Sequence, residues 1–240
     1  MKKILLLAAV LCIVFSSVAM AAMPDTIRIG DSRDMVEQLM VMEGISPYID
    51  GDNTLAYETE EMNAYFSLDE TGKVDFICYT YYLGGTSTMD FTVPDWNLTW
   101  DGVLASLKNE GASHEAYWNA EYRYPTIYVN GIIFDTMADL ALEFDDNGML
   151  DKVSVYGYEE PVMNWAMRAA HVLGVPDIVN RRTKQEGICT DVIEDTEWVM
   201  EDGSYYTLTS NVSFAAFVNG VDVDTVADTQ IELCVYAPAR

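Results

Sequence analysis

Only two histidines, His114 and His171, are available as general bases or nitrogen ligands. Neither has a partner at the spacing of a zinc-binding H-E-x-x-H helix. His171 lies among Ala169, Ala170 and Val172 on a predicted helix, and His114 follows Gly111, Ala112 and Ser113 in a predicted loop. Both settings suit ordinary surface or half-buried histidines. A Ser-His-Asp or Cys-His device meets in space, so sequence leaves it open, and nothing here marks one. No G-x-S-x-G elbow, Walker loop or dinucleotide fingerprint occurs. Carboxylates are abundant instead. A glycosidase needs two of them about 5–10 Å apart, and 39 acidic residues leave no pair distinguished from chance.

Cation sites have two candidates. The stretch Asp50-Gly51-Asp52-Asn53 to Glu61 places acids at positions 1, 3 and 12 of a calcium loop, but Leu55 stands where the loop needs glycine, so a polar turn is the competing reading. Asp135, Thr136 and Asp139, with Asp224, Thr225 and Asp228, have the oxygens to chelate a cation. The same side chains stabilise turns by bonding their own backbone. Cys78, Cys189 and Cys234 follow a fourth cysteine, Cys12, and none forms C-x-x-C. One pair could join in an oxidising compartment; the spacing does not say which. No residue is assigned to catalysis or to a metal, and no cofactor is implied.

Aromatic residues give the one binding-type signal. Tyr79, Tyr81 and Tyr82 share a predicted strand, and Trp96, Trp100, Trp118, Tyr122, Tyr124 and Tyr128 cluster further on. Exposed tyrosine and tryptophan on a rigid sheet offer contact area at small entropic cost. The candidate binding residues are Tyr79, Tyr81, Trp100, Trp118, Tyr122 and Tyr128. Core packing and strand preference compete for each of them.

The elements that would position these residues recur along the chain. Ser32-Arg33-Asp34-Met35-Val36 runs to Glu43-Gly44, and Thr99-Trp100-Asp101-Gly102-Val103 runs to Glu110-Gly111. Ser32 and Thr99 are N-cap residues, Asp34 and Asp101 meet the positive end of the helix dipole, and the glycines stop each helix. A third helix is predicted from Val162 to Leu173. Phe66 to Asp75 aligns with Leu142 to Asp151, each with a turn carrying Asp first and Gly fourth between alternating strands. Residues 129–144 and 218–233 agree at eight of sixteen positions, beginning Val-Asn-Gly in both. Asn-Gly between apolar runs predicts a hairpin turn.

These matches divide the chain into unit one at 25–83, unit two at 91–158 and an irregular unit three at 161–240. The expected fold is α+β: tandem helix-plus-antiparallel-sheet repeats forming one curved sheet with helices on one side. Gly30-x-Ser32-x-x-x-Val36-x-x-Leu39, a hairpin with Asp-x-x-Gly and a tyrosine-bearing strand resemble the repeat of the β-lactamase-inhibitor-protein and SmpA/OmlA fold group. Leu173-Gly174-Val175-Pro176 resembles the sequence that ends the helix in that group. The resemblance implies an exported module that binds another protein through its sheet, and no chemistry.

Residues 1–21 read as a signal peptide: Lys2 and Lys3, an apolar run from Ile4 to Phe15, then Ala19-Met20-Ala21. An uncleaved anchor is the rival reading. Without them 11 basic residues face 39 acidic ones, a net charge near −28. That charge excludes nucleic acid and anionic membrane surfaces as partners and gives no membrane insertion after cleavage. It suits a protein with a basic patch. The expected function is therefore an exported, non-enzymatic binding module, inhibitor-like or envelope-associated, that uses an acidic, aromatic-bearing sheet face. The alternative is an extracellular glycoside hydrolase using two carboxylates, or a cation-dependent sugar binder.

Overall fold

In the computed structural model, residues 27–42, 48–49, 53–120, 124–158, 160–186, 189–216 and 224–239 are described. The expected signal peptide, Asp50 to Asp52 of the calcium-loop match and the second Val-Asn-Gly motif at 218–220 lie outside them.

Sequence period decides the elements. The stretch around Phe66 illustrates the strands: Met62, Ala64, Phe66 and Leu68 turn inward while Asn63, Tyr65 and Ser67 turn out. Among the described residues there are three helices, α1 (Arg33–Met42), α2 (Trp100–Glu110) and α3 (Glu160–Leu173). Twelve strands accompany them: β1 (Tyr48–Ile49), β2 (Thr54–Glu58), β3 (Met62–Leu68), β4 (Val74–Tyr81), β5 (His114–Asn119) and β6 (Thr126–Ile133). The series continues with β7 (Thr136–Phe144), β8 (Leu150–Tyr158), β9 (Ile178–Glu186), β10 (Cys189–Val199), β11 (Tyr205–Ala216) and β12 (Asp224–Tyr236).

All twelve strands join one antiparallel sheet in the order β1-β2-β3-β4-β5-β6-β7-β8-β12-β11-β10-β9. This corrects the expected fold class. The protein is predominantly β, one large antiparallel sheet with three short helices, and not an α+β chain of helix-plus-sheet repeats. The stretch from Asp177 to Asp195, which interrupts the pattern of the third segment, forms β9 and much of β10. The chain then returns, so β12 and not β9 pairs with β8. The third segment therefore meets the second in reverse strand order.

The local signals do place the first two helices and their hairpins. Thr99 Oγ1 accepts from the Gly102 amide at 3.1 Å, and Ser32 Oγ accepts from the Met35 amide at 3.3 Å. Asp69 accepts from the amides of Thr71 and Lys73, and Asp145 from those of Asn147 and Met149. Gly72 and Gly148 take φ of 76° and 72°, a conformation that L side chains rarely adopt. Each hairpin also holds the start of its own segment's helix. The Arg33 amide bonds Gly72 O at 2.9 Å, and the Trp100 amide bonds Gly148 O at 2.9 Å.

The Asn-Gly signal was misleading. Asn130 and Gly131 lie inside β6, and the turn into β7 is made by Phe134 and Asp135, both at positive φ (48° and 58°). Packing overrides the local preference. Phe134 is buried against Tyr206, and its amide bonds Thr92 Oγ1 at 2.7 Å. Gly131 has a packing role instead: a Cβ there would lie 2.8 Å from Leu140 Cδ1 and 3.6 Å from the Phe91 ring, so the leucine side chain would have to shift.

The core lies between the sheet and the helices. Val36 and Met40 of α1, Val103, Leu104 and Leu107 of α2, and Ala169 of α3 join the inward side chains of β3 to β8, β11 and β12 in one cluster. All three helices stand on this face. Among the described residues, no helix is long and apolar enough to cross a membrane.

Candidate binding face

Alternation in the strands defines a second face. The register Thr80↔Glu115↔Tyr128↔Ala141↔Ser154↔Cys234↔Thr207↔Glu197 runs across eight strands opposite the helices. A neighbouring row runs Tyr65↔Cys78↔Tyr117↔Thr126↔Glu143↔Lys152↔Tyr236↔Tyr205. Among the described residues no helix covers this face. Among the described side chains its acids include Glu58, Glu115, Asp139, Glu143, Asp191, Asp195, Glu197 and Glu232, against Lys152, Arg182 and Lys184. Lys152 pairs with Glu143 at 2.9 Å, and Arg182 pairs with Asp195. The uncompensated charge is negative.

The same alternation sorts the predicted binding residues. Tyr79 is 1% exposed and Tyr81 6%, because both lie on the helix side of β4. Trp100 is 3% exposed, edge-on to Trp118 at 5.8 Å and to Phe144 at 5.6 Å. Trp118 is partly buried against the core. These four side chains are core residues on the wrong side of the sheet for a binding face. Tyr122 lies outside the described residues. Tyr128 is 47% exposed and stands on the open face.

Tyr128 has as neighbours there Tyr124, which belongs to the aromatic cluster noted in the sequence, and Phe76 and Tyr117, which were not singled out. A depression of about 480 Å³ is ringed by Phe76, Tyr117, Tyr124 and Tyr128. Glu115, Asn119 and Thr126 complete its wall. Tyr117 meets Tyr128 nearly perpendicular, 81° with centroids 5.6 Å apart, and meets Phe76 at 6.4 Å and 40°. The Tyr117 hydroxyl donates to Glu115 Oε2 at 2.6 Å, and that bond, followed by burial, pushes the phenol far above its usual range. Beside Tyr117 in the same row Cys78 is buried, which raises its thiol. A second depression, about 350 Å³, adjoins the first through Glu115 and Tyr128 and includes Tyr82, Asn130 and Asp139. The period-two run Glu115-x-Tyr117-x-Asn119 is the signal that could have found this wall, because it alternates with the inward His114, Ala116 and Trp118.

The other candidates have structural explanations. His114 is buried, stacked on Tyr81 at 4.5 Å, with Nδ1 2.8 Å from Ala112 O. His171 is exposed on α3. Thr136 donates to Phe134 O at 3.3 Å across the turn, and Asp139 accepts from Asn130 Nδ2 at 2.7 Å. Cys78 and Cys234 are free and buried, and the side chain of Cys189 lies outside those described. Among the described residues, no group of three or more His, Cys, Asp or Glu is placed to hold a metal ion.

No protein-family model matches the chain, and no curated protein or solved structure matches it. What the face can do is therefore argued from its geometry: aromatic area, negative charge and shallow relief suit contact with a cationic macromolecular surface.

Proposed function

We propose that the protein is an exported, non-enzymatic binding module whose open sheet face docks another protein through a basic patch. The observation that carries this is the division of labour in the sheet. One face holds the helices and the core, while the other presents Tyr82, Tyr124 and Tyr128 beside Glu115 and Asp139. Exposed tyrosine supplies contact area that loses little entropy on binding. A chain with net charge −26 adds long-range attraction for a basic partner, which salt weakens. The resemblance to the β-lactamase-inhibitor-protein and SmpA/OmlA repeat points the same way, toward docking through a sheet.

A photo-crosslinking amino acid placed at position 128, compared with one at exposed position 41 on α1, tests the reading. With the organism's envelope fraction, position 128 should capture a discrete partner that is lost at high salt, and position 41 should not. Equal capture at both positions, or none at 128 at any ionic strength, overturns it. The aromatic wall with Asn119 and Thr126 also favours a second reading, a sugar-binding protein. Flat responses on a glycan array and in a calcium titration end that one.

A further inference from the structure

The geometry points to a receptor for a single lysine side chain in the depression walled by Phe76, Tyr117, Tyr124, Tyr128 and Glu115, an inference that rests on the docking face proposed above and names its anchor. Ring faces carry negative quadrupole density, so several rings turned at different angles surround a cation better than any one ring does. Tyr117 and Tyr128 stand 81° apart, and Phe76 is tilted 40° from Tyr117. Glu115 supplies formal negative charge at the wall, and no Lys or Arg lines the depression among the described residues.

Glu115 also selects between the two cationic side chains. Its Oε2 accepts from the Tyr117 hydroxyl at 2.6 Å, which occupies one of that oxygen's two lone pairs and leaves Oε1 the less encumbered acceptor. A guanidinium realises its advantage through two parallel bonds to both oxygens of a carboxylate. An ammonium is a point donor on a slender methylene stem, and the stem packs against rings. One oxygen already sharing a proton, set within an aromatic wall, favours a point donor over a two-pronged one and so fits lysine. A volume of about 480 Å³ admits its four-carbon chain with the peptide backbone at the rim.

Blocked single amino acids test the receptor without the partner. The full chain, with tyrosine rings carbon-13 labelled, is titrated with N-acetyl-lysine methylamide, its arginine counterpart and the neutral norleucine counterpart. Lysine should shift the ring signals of Tyr117, Tyr124 and Tyr128 saturably, bind about fivefold more tightly than norleucine, and outbind arginine. Glu115→Gln and Tyr128→Leu should each weaken it about fivefold, while Tyr128→Phe keeps the ring and the binding. Thermal melts of the same samples separate lost binding from lost fold. Absent lysine binding, equal binding of norleucine, tighter binding of arginine, or methyl glycosides shifting these rings in its place each overturn the assignment. If the position-128 crosslink still forms, only the lysine receptor falls; if the crosslink fails too, the docking face falls with it.

Discussion

Trp100 sits where α2 begins, edge-on to Trp118 and Phe144 and closed off from solvent. Its truncation to alanine removes a large apolar side chain from a site with few ways to collapse. Trp100→Ala should cost about 3–5 kcal/mol, read as a lowered urea midpoint at unchanged slope. Tyr128→Ala, on the open face, should cost only about 0.5–1.5 kcal/mol in the same assay, the worth of its ring contact with Tyr117. The contrast between these residues was legible only in part. Counting aromatics finds both, but their fates depend on the parity of each within its strand. Parity was available for β5, where Glu115, Tyr117 and Asn119 alternate with His114, Ala116 and Trp118. Two tyrosines, one buried and one half-buried, also set an alkaline limit. Burial, aided by the charge of Asp202, raises the Tyr206 phenol to about 12, and burial raises Tyr236 to about 12. Both pKa values lie above the unfolded value of about 10, so the folded state holds these protons more tightly. Their contribution is complete below pH 10 and is lost as pH rises toward 12. Chemical denaturation across that window should show stability falling, and Tyr206→Phe should flatten part of the slope.

The hairpins β3–β4 and β7–β8 are where local chemistry and tertiary structure agree. Asp69 caps the turn from one end while Gly72 takes the positive φ at the other, and Asp145 with Gly148 repeats the arrangement. A Cβ on Gly72 would meet nothing within 4 Å, so Gly72→Ala tests conformation alone. It should cost about 1–2 kcal/mol, measured as a drop in Tm. The Lys73 amide and Thr71 hydroxyl, which donate to Asp69, hold its carboxyl below the usual carboxylate range. The sign is the reverse of the tyrosine case: this stabilisation is present above the unfolded pKa and fades as pH falls through the folded value. Asp69→Asn should therefore narrow the loss of stability in acid. These caps and turns were readable because each is decided within about five residues. The turn at Phe134 and Asp135 was not, because its backbone is held by contacts with Thr92 and Tyr206, 42 positions before and 72 after Phe134. The strands β9 and β10 escaped for a related reason: their polar residues show little alternation, and pairing with β11 fixes them.

Across the whole sheet, stability is graded from centre to rim. Strands β4 to β8 have a neighbour on both sides and helices over one face. Strand β9 lies at an edge, and the side chains of residues 178–185 are exposed on both of its faces. Its Arg181, Arg182 and Lys184 charge that rim, a common guard against unwanted strand pairing. Hydrogen exchange should follow the gradient, with β9 amides exchanging at least about tenfold faster than those of β6 to β8. Protection of β9 equal to that of β6 would refute it. No local pattern announced this order of strands. Neighbouring pairs can be read from turns, but the meeting of β8 with β12 joins residues such as Ser154 and Cys234, 80 positions apart. That meeting governs how the molecule comes into being. A nascent chain delivers β8 long before the ribbon that will flank it, and β9, β10 and β11 must first fold back on themselves. Until the final ribbon slots home, two half-built sheets carry raw margins able to zip onto a neighbouring molecule. The keystone is therefore made late, and the margin most exposed until then is that of β8.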